Sequence, residues 1–253
     1  MNFFYGISND LFKSEIQIPL FQNRNFKKSN LKLFKSYPKN NKWILQEISF
    51  KKINDYFYIL KNEDISSNDI FFLADETILN EFDDKKLKNF NNFTDTSPAF
   101  RANFKIYLNQ GGFSSYQSEY PYSMITKKGT ILSSISSIAN SDADKNYVLI
   151  KNIFEEPIEE NFKAYLVNYK TKSIEEQFEI KTNYTNCIEI SNKLIKPEIF
   201  LTTDKYLGVP MYVSVKNSFL SFEHTHPPHE YISSKNKFIK VTNLKKEINE
   251  IIS

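Results

Sequence analysis

All three histidines of this 253-residue chain fall within six positions, in the run Glu223-His224-Thr225-His226-Pro227-Pro228-His229-Glu230. The preceding Phe219 to Phe222 has strand character, and side chains alternate faces along a strand. His224 and His226 are therefore expected on one face, with Glu223 and Thr225 on the other. Two imidazoles at that spacing can reach one ion. Pro227 and Pro228 fix φ twice and stop the strand from pairing further. His229 and Glu230 follow that rigid corner, from which they can fold back toward the same ion. Neutral imidazole nitrogens with a carboxylate suit a divalent transition metal, zinc or iron foremost. The expected metal ligands are His224, His226, His229 and Glu230. Three other readings stay open: imidazoles hydrogen-bonded within a turn, a proton-sensitive cluster, since imidazole titrates near neutrality, and a catalytic acid/base histidine.

The spacing His224-x-His226-x-x-x-Glu230 resembles the first metal motif of the cupin family over those seven residues. The resemblance implies that these positions are ligands and that one more histidine completes the set. No histidine follows His229, so His229 would supply that imidazole.

A second candidate lies at Gln110-Gly111-Gly112-Phe113-Ser114-Ser115-Tyr116-Gln117-Ser118-Glu119-Tyr120-Pro121-Tyr122. The chain has five glycines and two are adjacent here, which marks positive φ or close backbone approach. The segment reads as a long loop carrying Tyr116, Gln117, Glu119, Tyr120 and Tyr122. Rings beside amide and carboxylate groups suit a small polar ligand such as a saccharide. The alternative is that the tyrosines pack the loop onto the body with their hydroxyls satisfied. Arg101 joins this candidate set because arginine is so rare here: the only others among the basic residues are Arg24 and lysines. Its planar fork suits either an internal carboxylate or a ligand.

What must position these residues is mostly β. The chain holds 23 Phe and 15 Tyr against three Met and one Trp, a composition that packs well on pleated surfaces. Strand character recurs at residues 31–37, 43–50, 56–60 and 70–73, and again at 104–108, 130–136, 147–153, 163–169, 174–181, 187–191, 209–215 and 219–225. A short helix is expected within 75–90, and another over Asn243 to Ile252 with Asn243 as its cap. The polar stretch Asn91 to Pro98 is the expected boundary between an N-terminal β-rich portion (1–98) and a β-sandwich domain with a C-terminal helix (99–253). The cadence from Tyr147 through Asn152 and Pro157 to Asn168 resembles that of immunoglobulin-like sandwiches. The expected class is all-β: an immunoglobulin-like or jelly-roll-type β-sandwich with an N-terminal extension.

Several functions are disfavoured. The net charge is +3 with no basic run, so no nucleic-acid footprint is expected. No stretch has the length and apolarity of a membrane span, and the start lacks a signal pattern; the expected compartment is the cytoplasm. The single Cys187 reads as a small core residue on a strand. The sequons at Asn92 and Asn183 read as chance, and Asp142 and Asp144 as a polar turn rather than a calcium loop. Three functions remain: a ligand-binding sandwich with a metal at the histidine corner, a metal-dependent hydrolase or oxygenase using the same histidines, and a structural or oligomerisation module, for which a homo-oligomer is the natural partner.

Overall fold

A computed structural model of the chain describes residues 2–19, 31–48, 52–54, 57–89, 102–109, 111–224 and 235–253. They are mostly β-strand, in several antiparallel sheets, with a helix at the C-terminus. Two compact units form: Met1–Lys127 with Ile153–Glu159 and Thr182–Thr185, and Lys128–Asn152 with Glu160–Lys181 and Asn186–Ser253.

The first unit contains β1 (Asn2–Phe3), β2 (Phe12–Pro19), β3 (Lys32–Lys39), β4 (Lys42–Glu47), β5 (Lys52–Asn54), β6 (Phe57–Leu60), β7 (Ile70–Ala74), β8 (Ala102–Leu108), β9 (Phe113–Ser118) and β10 (Tyr120–Pro121), with one-turn helices α1 (Ile78–Glu81) and α2 (Tyr122–Ile125). They make a five-stranded sheet β5-β6-β2-β8-β9, a three-stranded sheet β4-β3-β7 and a small pair β1-β10. The period-two pattern explains β2: Phe12, Ser14, Ile16 and Ile18 are buried, while Lys13, Glu15 and Gln17 are not. Ile16, Ile18, Leu60 and Ala102 of the larger sheet meet Leu33, Phe71 and Leu73 of the smaller one. Burying each such large apolar side chain is worth about 1.5–3 kcal/mol. Gly6 is required by a close approach: a Cβ there would lie 2.7 Å from Ser14 Oγ and 2.9 Å from Ile65 Cγ2.

The second unit is a sandwich. It contains β11 (Leu132–Ser134), β12 (Lys145–Lys151), β13 (Asn161–Asn168), β14 (Ser173–Lys181), β15 (Thr185–Ile190), β16 (Ile199–Thr203), β17 (Val209–Lys216) and β18 (Phe219–His224), then α3 (Lys235–Ile252). Sheets β11-β16-β13-β14 and β15-β12-β17-β18 share a core in which Val148, Ile150, Ile188 and Tyr212 meet Phe162, Ala164, Leu166, Ile180 and Leu201. The Tyr212 hydroxyl is satisfied by Ser133 Oγ at 2.7 Å. On the opposite face of β13, Tyr165 and Val167 receive Ile248 of α3, flanked by Leu244, Ile251 and Ile252.

The structure departs from the sequence reading at identifiable points. The expected helix within 75–90 shrinks to α1, because Asp75 and Asp83 turn their carboxylates onto the N–H groups of Thr77 and Lys85. Such local bonds compete with helix. Helix α3 begins eight residues earlier than expected, so Asn243 lies in its interior and caps nothing. The 110–122 loop is instead largely β9 and β10. Strands β1, β2, β5 and β16 lie outside the expected strand ranges. The expected break at 98/99 lies outside the described residues, and β8 and β9 pair into the sheet of the first unit. Cys187 is on a strand as expected but half-buried. Asp144 caps the Asn217 N–H at 2.8 Å, as a polar turn requires. No helix among the described residues is long and apolar enough to cross a membrane.

Candidate functional site

Strand β18 delivers His224 at its last position, opposite Met211 on β17. His224 shares its sheet face with Phe222 and the buried Met211 and Val213, whereas Glu223 lies opposite Tyr212 and shares the face that enters the sandwich core. The opposition of His224 and Glu223 follows from strand alternation. His226, His229 and Glu230 lie outside the described residues. Among the described residues no group of three or more His, Cys, Asp and Glu side chains is placed to hold a metal ion.

The tyrosine-rich segment is split by its own strand. Tyr116 pairs across from Phe104, and Ser118 from Ala102, on the buried side of the sheet. Gln117 pairs with Asn103 on the other side. Tyr120 is 1% exposed. Burial holds its phenol well above the ordinary value, offset only in part by a backbone hydrogen bond at Ile153. Glu119 is half-buried beside it and adds to the upward push that burial and Tyr120 exert on the fully buried Tyr5 phenol. Tyr122 places its hydroxyl 3.3 Å from both Leu87 O and Glu155 Oε1, next to the Lys86–Glu155 ion pair at 3.2 Å. Burial and the Glu155 charge raise its phenol. Tyr120 is thus packed in the interior, and Tyr122 is hydrogen-bonded internally. Arg101 lies outside the described residues. Of the six candidates, Gln117 is the one the pairing sets on the solvent side of β9.

Gln117 belongs to a larger set of residues on the same sheet face. The register aligns three rows across β2, β8 and β9 on the outer face of the five-stranded sheet: Lys13–Tyr107–Phe113, Glu15–Lys105–Ser115 and Gln17–Asn103–Gln117. Same-face neighbours along a strand are two residues apart, so the three rows span ~13 Å along the strands and ~10 Å across them. In the first row the Tyr107 and Phe113 ring centroids are 5.8 Å apart at an interplanar angle of 37°. In the second, Lys105 Nζ lies 3.4 Å from Glu15 Oε1. Gln17 Nε2 donates to that same oxygen at 2.8 Å, linking the second row to the third. Partial burial, with the Glu15 charge adding and Lys105 subtracting, raises the Tyr107 phenol. It stays protonated at neutral pH and can donate a hydrogen bond.

The signal for these rows was present as alternation in Lys13-Ser14-Glu15-Ile16-Gln17 and in Asn103-Phe104-Lys105-Ile106-Tyr107. The register that brings them side by side joins segments some ninety residues apart. No family model, curated protein or solved structure matches the chain.

Proposed function

We propose that this protein is a saccharide-binding module whose binding surface is the outer face of β2, β8 and β9 in the five-stranded sheet. One observation carries the reading: an aromatic pair, the exposed Phe113 with the half-buried Tyr107, shares one sheet face with the amides of Gln17, Asn103 and Gln117, which lie ~13 Å further along the strands. The C–H face of a sugar ring is apolar and lies against aromatic rings. Its equatorial hydroxyls need donors and acceptors at the rim, which side-chain amides supply from one group. A flat surface fits an extended polymer, whereas drug-sized ligands favour enclosed pockets.

The test is affinity electrophoresis through native gels containing a panel of soluble plant, algal and bacterial polysaccharides. The reading expects retardation in at least one gel. It also expects Phe113→Ala and Tyr107→Ala to weaken retention about tenfold each, through loss of roughly 1.4 kcal/mol of ring contact. Mobility unchanged across the whole panel, or retention indifferent to both substitutions, contradicts it.

A further inference from the structure

The charges on this face are not balanced, and their pairing gives the ligand a sign. Glu15 is its only carboxylate among the three rows, and two partners already occupy it: Lys105 at 3.4 Å and the Gln17 amide at 2.8 Å. Lys105 is thereby spent on an internal pair. Lys13 is exposed, sits in the same row as Tyr107 and Phe113, and has no ion-pair partner among the described residues. Among the described residues, the three rows therefore present one uncommitted cation directly beside the aromatic pair and no uncommitted anion. Resting on the binding reading above, we infer that the ligand class is an acidic polysaccharide built from uronic acid units. One sugar ring lies against Tyr107 and Phe113 while a carboxylate on that ring or its neighbour meets the Lys13 ammonium.

Nucleic acid would also satisfy a cation, but the three rows hold one aromatic pair rather than a succession of stacking rings. The neutral amides of Gln17, Asn103 and Gln117 match hydroxyl-rich rather than phosphate-rich ligands. An exposed ion contact is modest in water, worth up to about 1 kcal/mol, so the expected preference is a few-fold and is reduced by salt.

The experiment compares polygalacturonate with its fully methyl-esterified form, the same chain with its charge removed, by calorimetric titration of the full-length protein at low and high salt. Wild type is expected to bind the acid roughly fivefold tighter than the ester at low salt. Lys13→Gln should bring the two affinities together by weakening binding of the acid, and Phe113→Ala should weaken both. Equal binding of acid and ester by wild type, still sensitive to Phe113→Ala, would leave the binding face standing and overturn the charge assignment. A preference that survives Lys13→Gln also overturns it. Binding of neither polymer overturns the uronate assignment; binding insensitive to Phe113→Ala, or equal competition by single-stranded poly(dT), overturns both statements. Lys13 is solvent-exposed, and the melting temperature of Lys13→Gln checks that the variant is folded.

Discussion

Phe113 packs its ring 5.8 Å from that of Tyr107, directly across the β8–β9 pair, and yet remains 62% exposed. The contrast is with its own neighbours. Phe104, on the same pair of strands but the opposite face, is fully buried, as are Phe3, Phe4, Phe12, Phe71 and Phe72. A chain that buries so many of its phenylalanines holds this one at the surface, against a second ring.

Opposite faces should give opposite mutational outcomes. Phe104→Ala empties a site in the core and is expected to cost about 3–5 kcal/mol. Phe113→Ala removes a ring that is mostly in water and should change stability by no more than about 0.5 kcal/mol, while weakening ligand retention. Urea unfolding of the two variants measures this. A large stability loss for Phe113→Ala would make it a packing residue instead.

Asn183 is a keystone of the first unit. It sits at φ 50° and is almost fully buried. Its Oδ1 accepts from Phe154 N–H at 2.8 Å, and its Nδ2 donates to Glu156 O and Ile158 O at 3.1 Å. Asn183→Ala strands these backbone groups and strains the turn, at a cost of about 3 kcal/mol. Asn183→Asp should be comparably harmful, since a carboxylate cannot donate. Thermal melting checks both. Because the amide is wholly used inside, mass spectrometry should find no glycan on Asn183, although Asn183-Tyr184-Thr185 reads as an acceptor sequence.

Much of the fold was legible where local chemistry and tertiary structure agree. Asn40-Asn41 and Asn217-Ser218 occupy positive φ at both positions of two-residue hairpin turns, as such turns require. Leu244, Ile251 and Ile252, partly buried, flank the buried Ile248 on one stripe of α3 because their spacing matches a helix. Legibility failed where long-range pairing decides. Tyr116 and Gln117 are adjacent in sequence, which suggests one ligand loop; once β9 pairs with β8, they face opposite ways. Lys13, Tyr107 and Phe113 carry no motif at all, and only register makes them a row. For the histidine run, alternation correctly separated His224 from Glu223, but His226, His229 and Glu230 fall outside the described residues.

The docking of α3 should respond to pH through Glu247. Its carboxylate accepts from Lys172 Nζ at 2.9 Å and from the Tyr169 hydroxyl at 3.0 Å, with the Lys172 ammonium 3.7 Å from the Tyr169 ring centroid. Hydrogen bonds from Lys172 first, then Tyr169, lower its pKa below the ordinary 4.5. A carboxylate with a lowered folded value adds stability above its unfolded value and loses it as pH falls through the folded one. Glu247→Gln should therefore be less stable than wild type at neutral pH, with the gap closing in acid below 4.5. Urea midpoints measured for both proteins across that range check the sign; a gap that stays constant with pH would remove the charge from the account.

The most direct test is to map the ligand onto the sheet. Amide and side-chain NMR spectra of isotope-labelled protein, recorded during titration with short oligogalacturonate, should show saturable shifts confined to Lys13, Glu15, Gln17, Asn103, Lys105, Tyr107, Phe113, Ser115 and Gln117 and their immediate strand neighbours. Shifts that cluster elsewhere, for example on α3 or at the end of β18, or spectra that do not move while binding is detected by other means, would contradict the assignment of this face as the binding surface.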